Sequence, residues 1–175
     1  MNIIAFSGSV RKDSFNTVLL KALQGLAPAG MQIALVDYHD VPLYSQDAEA
    51  AFPASVTVLK ETIEAADGVI FATPEYNRSI PGVLKNVIDW ASRPYGKNSF
   101  AGKAALVMGV SVGKLGTAIA QSHLRQILAY LDMRIVGQPE VYLGPAHELF
   151  DASGALADEG TKDLLAKALA ALAAR

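Results

Sequence analysis

Nine residues near the N-terminus carry the densest set of ligand-binding groups in the chain. They run Gly8-Ser9-Val10-Arg11-Lys12-Asp13-Ser14-Phe15-Asn16 and follow an apolar segment, with a helical pattern directly after them. Gly8 permits a tight exit from a strand. Ser9 and Ser14 offer hydroxyls, Arg11 a planar cationic fork and Asn16 an amide, while a helix start adds unpaired N–H groups and a favourable dipole. The natural guest of such a loop is a phosphate. Asp13 does not suit an anion, so its carboxylate is expected to point outward. A hydroxyl-capped helix with a solvated arginine would give the same pattern without a ligand.

A second loop, Thr73-Pro74-Glu75-Tyr76-Asn77-Arg78-Ser79-Ile80-Pro81-Gly82, sets two prolines around a Tyr-Asn pair. Such a segment is stiff, and its backbone groups could meet the polar edge of a planar ring while Tyr76 offers a stacking face. Tyr76 packed at a subunit contact and Asn77 shaping a turn is the plainer alternative. A third loop, Ser111-Val112-Gly113-Lys114-Leu115-Gly116, has glycines that admit a ligand close to the backbone, or it is a simple connection.

Two familiar phosphate patterns fail. No glycine follows Gly8 before the helix, which removes the G-x-G-x-x-G fingerprint and leaves Asp37 as an ordinary strand-end acid. At Gly113-Lys114 the Walker hydroxyl is replaced by Leu115 and the leading glycine by Met108. His39, His123 and His147 stand isolated and read as structural or surface residues. No general acid or base is nominated.

The elements that must position these loops follow from the apolar pattern. Asn2–Ser7, Met31–Asp37, Gly68–Thr73, Ala104–Val110 and Arg134–Val136 read as buried strands. Between and after them, Ser14–Leu26, Ala54–Ala65, Pro81–Ser92, Thr117–Leu131 and Thr161–Ala174 repeat apolar residues at three and four. Alternation of this kind implies a parallel sheet with right-handed crossovers, and five strands suit the order 2-1-3-4-5. The expected class is α/β, a flavodoxin-like three-layer sandwich forming a single domain over residues 1–175. The three unusual loops then fall at the carboxyl ends of strands one, three and four, beside the switch in strand order where open α/β sheets bind ligands.

Composition agrees. Of 175 residues, 51% are hydrophobic and 18% charged, which excludes disorder and suits strands covered on both faces. With 15 basic against 17 acidic residues and no basic run, no nucleic-acid partner is expected. No apolar stretch approaches the roughly 20 residues of a membrane span. The N-terminus reads as a strand rather than a signal peptide, so the expected location is cytoplasmic. Without cysteine there is no disulfide, thiolate metal site or cysteine nucleophile.

The runs Gly-Ser-x-Arg-x-x-Ser-x-Asn at 8–16 and Pro-Glu-Tyr-Asn-x-Ser-x-Pro-Gly-x-Leu-Lys-Asn-x-Ile-Asp-Trp at 74–90 resemble the NAD(P)H-dependent FMN reductase family, especially its quinone and chromate reductase branch. The resemblance covers Met1 to about Gly144. It implies that Ser9, Arg11, Ser14 and Asn16 hold the phosphate of flavin mononucleotide (FMN), with Phe15 adding backbone contacts. Pro74, Glu75, Tyr76 and Asn77 would line the ring and ribityl chain, and Ser111 and Gly113 would close the far side. NAD(P)H would be co-substrate, and a quinone, chromate, azo or nitro compound or free flavin the acceptor, reduced in ping-pong fashion. A homodimer or homotetramer is implied as well. The rival is a flavodoxin-type electron carrier, against which the modest net charge of −2 argues. Arg78 and Thr117 occupy positions where the pattern varies.

Overall fold

Strands buried on both faces need helices on both sides, and the alternation of side chains decides which residue meets which layer. The computed structural model describes residues 1–151 and 153–175. Its central strands are β1 (Asn2–Ser7), β3 (Gly68–Ala72) and β4 (Ala104–Val110), with β2 (Gln32–Leu35) outside β1. They pair in parallel, in the expected order β2-β1-β3-β4-β5, where β5 is Arg134–Ile135. In register, Ala5 lies opposite Leu35 and Ile70, and Ile70 opposite Leu106. Every residue of β3 and β4 is buried.

Ile3, Ala5, Ile70, Leu106 and Met108 face one layer, formed by α1 (Phe15–Leu26) and α6 (Glu159–Ala173). Their neighbours Ile4, Phe6, Phe71 and Val107 face the other, formed by α2 (Ala54–Ala65), α3 (Gly82–Ala91) and α4 (Ala118–Tyr130). A short α5 (Ala146–Leu149) precedes α6. α6 starts two residues before the apolar pattern predicts, because the Asp158 carboxylate accepts the Thr161 N–H at 2.6 Å and caps it.

The expected five-strand order holds, and a short sixth strand is added beside β4. The last strand is interrupted. β5 pairs with Ala104 and Ala105, the chain leaves the sheet, and β6 (Val141–Leu143) returns to pair with Met108–Val110. Pro139 lies in the excursion and cannot donate to a ladder. Two α4 side chains bind its ends: Arg125 Nη1 donates to the Val136 carbonyl at 2.8 Å, and Gln121 Nε2 to that of Val141 at 2.9 Å. Among the described residues, no helix is long and apolar enough to cross a membrane.

Candidate cofactor site

The loop after β1 can lie close to the loop after β3 only because residue 8 lacks a side chain. A Cβ on Gly8 would sit 3.0 Å from the Pro74 ring, and its N–H donates to the Ala72 carbonyl at 2.7 Å. Beyond that contact the two loops part, and with the loop after β4 they enclose a cavity of about 480 Å³. Its walls are Ser9, Arg11, Ser14, Phe15 and Asn16 at one end, Pro74, Glu75 and Tyr76 at another, and Val110, Ser111 and Val112 at the third. The volume falls within the range of small-molecule sites.

Several donors at the α1 end have no partner among the described residues. Ser14 is the N-cap residue and 2% exposed, yet its hydroxyl makes no capping bond. The Phe15 and Asn16 N–H groups open the helix, where no intrahelical acceptor exists. Arg11 forms no ion pair among the described residues; its guanidinium lies 5.7 Å from the Phe15 ring centroid. A buried hydroxyl, free helix N–H groups and an unpaired cation together fit a phosphate. Asp13 is exposed and absent from the cavity wall, as expected.

Asn16 serves a different purpose from a free ligand amide. Its Oδ1 accepts the Val110 N–H and its Nδ2 donates to the Val110 carbonyl, both at 3.1 Å. The side chain therefore ties the start of α1 to the end of β4, leaving one amide hydrogen for a guest. Glu75 is likewise committed: Oε2 accepts the N–H groups of Ile119 at 3.0 Å and Ala120 at 3.1 Å, and Oε1 accepts from Arg78 at 3.1 Å. It caps α4 from outside, which that helix needs. Thr117, at the N-cap position, is held at φ 68° and makes no side-chain cap; its Oγ1 accepts from Gln121 instead. Left-handed backbone is unusual for a β-branched residue.

Tyr76 and Ser79 exchange backbone hydrogen bonds at 3.0 Å around Asn77 and Arg78, which have φ of 51° and 64°. This two-residue turn of the I′ kind accounts for Asn77, which is exposed and outside the cavity wall. Gly113 also lies outside the wall. It bonds Ser111, whose hydroxyl accepts the Gly113 N–H at 3.2 Å and donates to its carbonyl at 2.9 Å. A Cβ on Gly144 would meet the Gly113 carbonyl at 2.2 Å, so β6 closes against this loop. Val110 and Val112 line the cavity without having been singled out; apolar residues next to a glycine loop carry no distinguishing signal. Nor does the sequence mark Glu75 as a cap, since its partners lie more than forty residues away.

A larger recess of about 800 Å³ lies between α3 and α4, lined by Lys85, Asp89, Tyr95 and Tyr130 among others. It sits toward the C-terminal ends of those helices and so has no helix N-terminus of the kind that opens the loop cavity. Size alone does not locate the chemistry.

Residues 1–148 match the family described as NADPH-dependent FMN reductase. A 2-hydroxy-1,4-benzoquinone reductase of a Burkholderia species is 48% identical, covering 94% of this chain and 90% of the relative. The quinone reductase of Escherichia coli K12 is 43% identical over 98% of this chain and 93% of the relative. Among solved structures, a flavoenzyme NAD(P)H:(acceptor) oxidoreductase from Paracoccus denitrificans is 43% identical with a TM-score of 0.91, covering 98% of this chain and 94% of that one. A flavodoxin variant from Pseudomonas aeruginosa, 18% identical with a TM-score of 0.60 over 99% of both chains, shares the fold. The chain therefore belongs to the NADPH-dependent FMN reductase family.

Proposed function

We propose that residues 1–175 act as one FMN-binding domain of an oxidoreductase that passes electrons from NAD(P)H to a quinone-type acceptor. The observation that carries this reading is the cavity itself, with unpartnered phosphate donors at one end and a rigid platform at the other. FMN held there would supply hydride transfer between the nicotinamide and the acceptor. Ser9, Arg11, Ser14 and the first N–H groups of α1 hold the phosphate. Phe15 adds backbone contacts, and Asn16 keeps those donors in register with β4.

Pro74, Glu75 and Tyr76 present the ring-binding edge, with Asn77 setting the turn that aims it. Glu75 fixes that edge by its bonds to α4. Tyr76, half-exposed at the mouth, offers a stacking face to either substrate in turn, in a ping-pong cycle. Ser111, held in place by its bonds to Gly113, closes the remaining side. The net reaction is NAD(P)H + H⁺ + quinone giving NAD(P)⁺ + hydroquinone.

We further propose a cytoplasmic location, since NAD(P)H is the donor, and a homodimer or homotetramer. Anaerobic addition of NADH or NADPH to the FMN-loaded protein is expected to bleach its colour within seconds, and benzoquinone to restore it. Colour that persists for many minutes with both donors would return the protein to the class of electron carriers.

A further inference from the structure

The loop after β4 ends on two consecutive residues in left-handed backbone, Gly116 at φ 54° and Thr117 at φ 68°. Glycine adopts this freely, but a threonine there loses stability, so another contact must hold the turn. Thr117 is buried, and its side chain does not cap its own helix.

The contact comes from Gln121, one turn into α4 and fully buried. Its Nε2 lies 2.9 Å from the Val141 carbonyl, 3.0 Å from Thr117 Oγ1 and 3.4 Å from the Gly116 carbonyl. Carbonyls only accept, so the amide must turn its NH2 end toward this cluster. Its two hydrogens serve the two nearer acceptors.

These partners belong to the end of the loop, the start of α4 and β6. β6 also holds the beginning of the loop, because the Leu143 carbonyl accepts the Ser111 N–H at 3.0 Å. The end of the loop lies directly on the same strand: a Cβ on Gly116 would stand 2.5 Å from the Tyr142 carbonyl carbon. Ser111 and Val112, which line the cofactor cavity, therefore sit on a loop anchored at both ends to a strand that Gln121 fixes. Between the anchors Val112 and Leu115 are exposed, so side-chain packing does not set the loop's shape.

Stability alone does not account for a glutamine here. Its Oε1 is buried with no hydrogen-bond partner among the described residues, which costs free energy. A methionine of similar length would fill the space without that cost.

We propose that Gln121 is a positioning residue for the cofactor: its amide clamps the Gly116–Thr117 turn and so keeps the loop after β4 in the shape that receives FMN. This rests on the FMN-binding reading above. Without the clamp the turn relaxes, and apparent affinity falls by the fraction of molecules that still hold the competent shape.

The test is a fluorescence titration with FMN of three FMN-free proteins: the unaltered chain, Gln121→Met, and Gln121→Met combined with Thr117→Gly. Gln121→Met is expected to bind FMN roughly fivefold to thirtyfold more weakly, the penalty of left-handed backbone at a threonine. Adding Thr117→Gly should restore most of that affinity, because glycine holds the turn unaided. Loss of a merely structural contact would lower Tm without being rescued in this way. Affinity unchanged in Gln121→Met, or lowered and not restored by Thr117→Gly, overturns the clamp alone. No FMN uptake by the unaltered protein overturns the cofactor reading and the clamp with it. Where Gln121→Met does not fold, Gln121→Glu replaces it, since its side chain keeps one donor when protonated and none when ionised. Its FMN affinity should fall with rising pH more steeply than that of the unaltered protein, and parallel profiles overturn the clamp.

Discussion

Ser14 separates two roles that an N-cap serine usually combines. Replacing such a residue by alanine ordinarily destabilises the helix by about 1 kcal/mol, because a side-chain bond to the first turn is lost. Here that bond is absent, although the residue is buried. Ser14→Ala is therefore expected to leave the thermal stability of the FMN-free protein nearly unchanged while weakening FMN binding roughly threefold to tenfold. Arg11→Ala should weaken it further, by about 1.5–3 kcal/mol, since a charge-assisted bond is lost. Fluorescence titration of the FMN-free protein measures both, and unchanged affinity in Arg11→Ala would remove the phosphate assignment.

At the scale of elements, Gly109 shows how tightly β4 is enclosed. A Cβ there would lie 2.1 Å from Thr117 Oγ1 and 2.3 Å from the Thr73 carbonyl, which is backbone and cannot rotate away. Gly109→Ala should cost at least the 1–3 kcal/mol typical of overpacking, seen as a lowered Tm. A native Tm would mean that β4 and its flanking loops are not packed this closely. The sequence made β4 itself legible, because seven apolar or small residues in a row suit a strand covered on both faces. It hid the reason for Gly109, since Thr73 and Thr117 are brought there by the fold. It also hid β6: three residues after a proline show no period, and β4 supplies their pairing. The site was legible in the same uneven way. Ser9, Arg11 and Ser14 announce their chemistry by type and by the helix that follows. The commitments of Asn16 to Val110 and of Glu75 to α4 depend on partners 94 and 44 or 45 residues distant.

For the whole molecule, the outer face of α3 and α4 is the surface most in need of a partner. Tyr95 and Tyr130 are largely exposed there, around the recess of about 800 Å³. A second copy covering this face would bury both rings, consistent with the proposed oligomer. Light scattering on the eluting protein should give the mass of two or four chains, and Tyr130→Asp should lower it. A single-chain mass for the unaltered protein would count against the oligomer.

The cap that Glu75 places on α4 also bears on how this chain can change over time. The platform and the helix are joined by hydrogen bonds of fixed reach, so Glu75 is held at a set distance from the first turn of α4. An inserted or deleted residue between Thr73 and Glu75 would strip the helix of its cap and re-aim the cavity edge in one step. Length variation should instead gather where the chain already leaves the sheet, at residues 137–140, whose ends are tied independently by Arg125 and Gln121.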